Sequence, residues 1–143
     1  MTVIWSKTEA TAIRLRPGDD LKSRLRKLAT DQDFEAAMIV TAVGSLSDVY
    51  LRLANQKEWT HFEGKHEIVS LTGTLSKHGV HLHLSVANSE GKTIGGHLVD
   101  GSIIYTTAEI VIAKLNSLVF RREHCPLSGF EELVVDSLAD EAN

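Results

Sequence analysis

VHLHLSVANSEGKTIGGHLVDG, residues 80–101, holds three of the seven histidines of this chain. Its first eight residues alternate between the two sides of an extended chain, with apolar residues on one side, which is the pattern of a half-buried strand. His81 and His83 therefore share the other face. Residues on the same side of a strand lie about 6 to 7 Å apart, so the two imidazoles can converge on one metal ion.

A third histidine follows a predicted turn. Residues 88–91 favour chain reversal, and Gly95 and Gly96 allow close backbone approach, so we predict that His97 returns beside the first two histidines. Three histidines without a fourth protein ligand are typical of a zinc site with an open position, because structural zinc sites are usually closed by cysteines. The alternative is that His81 and His83 lie on an exposed sheet face and that His97 bonds to loop backbone.

The composition is that of one globular domain. The chain has 143 residues, of which 43% are hydrophobic and 24% charged, enough for a single core. We predict one domain over residues 1–143, with its core at about residues 10–135 and a frayed tail over residues 136–143. Without a signal peptide pattern or a long apolar run, a cytoplasmic protein with no membrane segment is expected. The single cysteine, Cys125, agrees with this expectation.

The charge distribution argues against direct binding of nucleic acid. The net charge is −4, whereas non-specific DNA affinity comes mainly from clustered Lys and Arg. A basic cluster at Lys22, Arg24, Arg26 and Lys27 is interleaved with leucines at helical spacing. We therefore interpret these charges as the solvated face of a helix.

The remaining chain reads as many strands and few helices. Asp19 or Asp20 can cap a helix that runs to about Asp31. Strand patterns cover residues 8–16, 36–43, 48–54, 58–62, 66–74, 80–87, 106–115, 118–122 and 130–135. Gly44 and Ser45 are predicted to turn the chain. Because strands and helices do not alternate regularly, we predict an α+β fold with a mostly antiparallel sheet or flattened barrel and one or two helices.

Three further residues are candidates for catalysis. Strand phase places Glu67 and Glu109 at the heads of otherwise apolar rows, where a carboxylate can move protons, and Arg52 lies on a polar strand face, where a cation can stabilise an oxyanion. Each also has a structural interpretation: Glu67 can pair with a nearby cation, Glu109 can lie at a subunit contact, and Arg52 can be solvated.

Four segments together resemble a known family. MIVTAVGSLSDVYLR, GKHEIVSLTGTLS, the 80–101 stretch and TTAEIVIAKL, in this order and spacing, resemble the PPC domain, which is conserved in plants and prokaryotes. The resemblance extends over residues 10–134. It implies an α/β fold around an antiparallel sheet, assembled as a homotrimer. In plants the domain follows an AT-hook that binds A·T-rich DNA, but this chain has no Arg-Gly-Arg-Pro sequence, which puts direct DNA binding in doubt.

The same fold is similar to that of acetolactate decarboxylase and of a zinc-dependent ester hydrolase. Both hold zinc through a His-x-His pair and a third histidine some ten residues later. By this resemblance the ligands here are His81, His83 and His97, although His97 follows His83 by fourteen residues. The resemblance implies zinc, or another first-row divalent metal, but no substrate.

Two functional classes remain open at this point. The first is a homotrimeric metal-binding module with an assembly or regulatory role, which meets DNA through partners. The second is a zinc-dependent hydrolase or lyase that acts on a small ester or carbonyl compound. Apolar strands such as residues 36–43 and 110–115 offer more apolar surface than one helix can cover. We therefore expect part of the sheet to be buried between subunits.

Overall fold

The computed structural model describes residues 3–139 and has one helix among eight strands. The elements are β1 (Thr8–Leu15), α1 (Leu21–Asp31), β2 (Ala37–Arg52), β3 (Thr60–Ser76), β4 (Gly79–Ala87), β5 (Thr93–Leu98), β6 (Ile103–Leu115), β7 (Leu118–His124) and β8 (Glu131–Ser137). All strand pairings are antiparallel. The predicted α+β class is confirmed. No helix in the described range is long and apolar enough to cross a membrane.

The main sheet bends until it nearly closes on itself. Its strands follow the order β1-β6-β2-β3-β4-β5, and the end of β2 pairs again with β5. This second pairing is short, joining Leu51 to Leu98 and Arg52 to His97. Strands β2 to β5 therefore form a ring, which confirms the flattened barrel. Strands β7 and β8 form a separate two-stranded sheet, called the C-terminal hairpin below.

Helix α1 closes the concave side of the sheet. Its residues Leu21, Leu25 and Ala29 are fully buried and belong to the main core cluster. All six strands of the main sheet also contribute side chains to this cluster. Asp20 caps the helix as predicted, because its Oδ1 accepts a hydrogen bond from Ser23 N at 2.9 Å. The other carboxylate oxygen of Asp20 accepts from the backbone N–H of Gly101 at 2.6 Å, which ties the helix start to the loop before β6.

Strands β2 and β3 are longer than the sequence patterns indicated. The predicted turn at Gly44 and Ser45 is wrong, because β2 continues through both residues. Its register against β6 shifts there and at two other places, so the strand bends through bulges and does not reverse. The predicted segments 58–62 and 66–74 likewise join into the single strand β3.

The end of the chain is more ordered than predicted. We expected fraying from residue 136, but Asp136 and Ser137 belong to β8 and pair with Val119 and Leu118 of β7. The frayed-tail prediction is therefore wrong for these two residues, because cross-strand pairing in the hairpin holds them. Residues 140–143 lie outside the described range.

Gly73 of β3 lies against the strand that carries the histidines. Its φ is +146°, and a Cβ at this position would come within 2.0 Å of the backbone oxygen of His81. A side chain here would thus push β3 away from β4 at the position of His81.

We expect Gly73→Ala to lower the free energy of unfolding by about 2 kcal/mol or more, because the added methyl group meets backbone that cannot move aside. Gly64→Ala is the matched control, since Gly64 also has a positive φ but open space around it. Urea denaturation of both variants measures the difference. Equal losses in the two variants would contradict the close approach of the strands.

Candidate metal centre

The first two histidines lie on β4 as the alternation predicted. Leu82, Leu84 and Val86 are buried in the core, whereas His83 is exposed and His81 partly buried on the opposite face. Both imidazoles therefore project from the same side of β4, opposite the side that packs into the core.

Strand β5 brings the third histidine to this face. His97 is the register partner of His83 on one side and of Arg52 on the other, so it lies where β4 and β2 both flank β5. The approach is close, because a Cβ on Gly96 would lie 2.9 Å from the backbone oxygen of Arg52. The predicted return of His97 beside His83 is confirmed.

The three rings form a compact group, called the histidine cluster below. The distances between ring centroids are 5.2 Å for His81 and His83, 5.0 Å for His81 and His97, and 5.7 Å for His83 and His97. One nitrogen from each ring lies within 4.8 Å of the others. Such a group suits three nitrogen ligands to one ion. The buried Nδ1 of His97 has no hydrogen-bond partner among the described residues. This ring nitrogen is therefore left unsatisfied by those residues.

Burial favours the neutral form of two of the three histidines, His81 and His97. It lowers the pKa of His97 to about 4, with further lowering from Lys22, His81 and Arg52. Burial also lowers the pKa of His81, and the nearby Arg122 adds to this effect. Because metals bind the deprotonated imidazole, the lowered pKa values of His81 and His97 favour the form of these rings that can act as ligands.

The cluster opens into a cavity of about 560 Å³, a volume typical of sites for small molecules. The lining residues outside the cluster are Arg52, Gly79, Val80, Arg122, Phe130, Glu131 and Glu132. Four of them belong to the C-terminal hairpin or its turn. A smaller cavity of about 260 Å³ lies along β3 and is also lined by His81, His83, Arg122 and Glu132.

Of the three catalytic candidates, only Arg52 lines the cavity. Glu67 pairs with Ala87, four positions along β4 from His83, and Glu109 lies on β6, which does not pair with β4 or β5. Both carboxylates are exposed, and the structure does not bring either of them to the histidine cluster. A bulge between Ile68 and Ser70 resets the strand phase after Glu67. Strand β6 is apolar on both faces, so alternation could not identify its core-facing side.

The cavity also contains residues that the sequence patterns did not identify. Arg122, Phe130 and Glu132 reach it because the C-terminal hairpin folds over β3 and β4. No spacing in the sequence relates these residues to the histidines, so sequence patterns could not identify them. Lys22 was assigned to a solvated helix face, but it is partly buried, and burial lowers its pKa.

One known domain family matches most of this chain. The Plants and Prokaryotes Conserved (PCC) domain, which is the same family as the PPC domain, matches residues 5–116. The chain belongs to the PCC domain family. A hypothetical protein from Salmonella has a solved structure with a TM-score of 0.90 and 41% identity, covering 93% of this chain and 96% of that one. The resemblance predicted from the sequence is thereby confirmed.

Two further proteins are similar to this chain. The metal-containing protein AF0104 from Archaeoglobus fulgidus matches with a TM-score of 0.80 and 23% identity, over 94% of this chain and 99% of that one, and at this identity it shows the shared fold. The bifunctional protein GlmU of a Synechococcus strain is 46% identical over 128 residues, which are 90% of this chain. The chain spans only about a fifth of the length of such curated relatives.

The PCC match ends at residue 116, before the C-terminal hairpin begins. The histidine cluster and Arg52 thus lie within the matched domain, whereas Arg122, Phe130 and Glu132 lie beyond it. The cavity is built from both parts of the chain.

We expect His97 of the metal-free protein to titrate near pH 4 in an NMR experiment, far below the ordinary value of 6.5. Between pH 6.5 and pH 4, His97 binds a proton in the unfolded chain but not in the folded protein. The contribution of His97 to the free energy of unfolding is therefore fully present above pH 6.5 and is lost as the pH falls toward 4. Urea denaturation at pH 7 and pH 4.5 should show a smaller loss for His97→Gln than for the unchanged protein. A His97 pKa near 6.5 would contradict the burial of this ring.

Proposed function

We propose that this chain is a homotrimeric metal-binding module of the PCC family, with one first-row divalent ion per chain at His81, His83 and His97. The convergence of three imidazoles in an open cavity carries this proposal. The donor set favours zinc, because three histidines with an accessible further position are a common arrangement for catalytic zinc. The description of the Archaeoglobus relative as metal-containing supports the same assignment.

The trimer proposal rests on exposed apolar side chains of the main sheet. Met38, Val40, Val43, Val69 and Tyr105 project outward from β2, β3 and β6 and are 39 to 56% exposed. Neighbouring strands bring these side chains together on one part of the surface, and a contiguous apolar surface of this kind is usually covered by a partner. Cyclic symmetry allows three copies to bury it at once.

An assembly or regulatory role fits the way this domain occurs in its relatives. In the Synechococcus protein the matching region is about a fifth of a much longer chain, so the domain functions there as one part of a larger protein. The net charge of −4 supports contact with DNA through partners and not directly. The unpaired Cys125 supports placement in the reducing cytoplasm.

A zinc-dependent hydrolase or lyase is the second candidate, and the lining of the cavity favours it. A metal at the histidine cluster would supply a Lewis acid or a bound water of lowered pKa. Glu132 lines the cavity and interacts electrostatically with Arg122, and it takes the proton-transfer role first assigned to Glu67 and Glu109. Arg52 and Arg122 bind and orient an anionic or polarised substrate group.

Metal content tests the first part of the proposal. We expect close to one zinc ion per chain in protein purified without a histidine tag, and near none in the His81→Ala, His83→Ala double variant. The matched control is the His61→Ala, His78→Ala double variant, which removes two histidines outside the cluster. Elemental analysis after dialysis measures all three proteins. An absence of metal in the unchanged protein, even after incubation with zinc, would refute the metal site.

Light scattering tests the trimer. We expect three chains per particle at micromolar concentration, and monomers when Val40→Glu and Val43→Glu are combined, because two charges would be buried in the interface. The control is Val3→Glu, which changes a more exposed valine that precedes β1. A monomer in the unchanged protein would exclude the proposed assembly.

A further inference from the structure

We propose that the cavity at the histidine cluster binds a small molecule through its carboxylate group, held between Arg52 and Arg122. This inference rests on the proposed metal at the cluster, and it names the class of ligand. It is carried by the placement of two arginines on opposite sides of the three histidines.

Arg122 lies beside His81. Its Nη2 donates a hydrogen bond to Thr74 Oγ1 at 2.7 Å, and Thr74 is the register partner of His81 on the neighbouring strand. The side chain passes close to β4, because a Cβ on Gly79 would lie 3.3 Å from Arg122 Cγ. This hydrogen bond uses one of the five N–H donors of the guanidinium group, so the group keeps donors for a ligand.

Arg52 lies beside His97 on the other side of the cluster. The two residues are register partners on β2 and β5. The guanidinium group donates a long hydrogen bond, 3.4 Å, to the backbone oxygen of Gln56 and lies 5.6 Å from the centre of the Phe130 ring. Within residues 3–139 it has no ion pair with a carboxylate. Its positive charge is therefore available to an anion in the cavity.

The charges of the lining favour an anion with a single negative charge. Arg52 and Arg122 attract it, and Lys22 of α1 adds to the positive potential at His97. Glu131 also lines the cavity, and its Oε1 lies 3.8 Å from Nδ1 of His124. Glu132 acts directly on Arg122, so it opposes a second negative charge near that guanidinium group. A carboxylate fits this balance better than a phosphate dianion, and its planar shape matches an arginine side chain.

The remainder of the ligand must be short and partly apolar. Val80 and the ring of Phe130 line the cavity beside the charged groups. A small carboxylic acid with an oxygen on the neighbouring carbon could thus place its carboxylate at the arginines and its apolar part against these side chains, with the histidine cluster adjacent.

The experiment uses the full chain loaded with Co²⁺, whose visible spectrum reports ligands that reach the metal. Pyruvate is the probe, pyruvamide is its uncharged analogue, and inorganic phosphate is the competing anion. We expect pyruvate to change the spectrum and to bind about ten-fold or more tightly than pyruvamide. Arg122→Gln and Arg52→Gln should each weaken pyruvate binding by about ten-fold or more. Arg14→Gln, on β1 away from the cavity, should change it by less than about two-fold.

The outcomes separate the ligand class from the metal site. A chain that takes up no Co²⁺ overturns the metal site and the ligand class that depends on it. A chain that takes up Co²⁺ overturns the ligand class alone if pyruvamide binds as tightly as pyruvate. The same conclusion follows if phosphate binds more tightly, or if both cavity variants behave like Arg14→Gln. Elemental analysis and circular dichroism of each variant show that a loss of binding is not a loss of metal or of folding.

Discussion

The short pairing between the end of β2 and β5 determines the geometry of this molecule. Leu51 and Arg52 pair with Leu98 and His97, so two register positions turn an open sheet into a ring. Because His97 has fixed neighbours on both sides, its ring stays beside His83 and the backbone of Arg52 stays beside His97. The core also depends on this closure, since Leu51 and Leu98 are fully buried.

Local patterns in the sequence predicted the parts of the site that depend on local geometry. A strand has a period of two, so the shared face of His81 and His83 follows from their spacing alone. The return of His97 follows from one turn and two glycines. The same reasoning failed for Glu67 and Glu109, because a bulge shifts the phase of β3 and because β6 is apolar on both faces. Alternation cannot indicate burial where phase is interrupted or where both faces are covered.

Contacts between distant segments were beyond prediction. Arg122 joins the cavity because the C-terminal hairpin packs across β3, where Ser76 Oγ donates to Phe120 O at 2.8 Å and Phe120 N donates to Glu35 O at 2.9 Å. These bonds join residues 44 and 85 positions apart in the chain. No spacing rule connects such residues, and the match to the PCC domain itself covers residues 5–116, which precede the hairpin.

In the described part of the chain, β7 and β8 of the C-terminal hairpin pair as strands only with each other, whereas the histidines lie on strands of the closed ring. Substitutions at its cavity-facing positions therefore leave the ring's own hydrogen-bond ladder and the histidine cluster intact. What the cavity binds can thus be changed through the hairpin, residues 118–137, separately from the strands that hold the histidines.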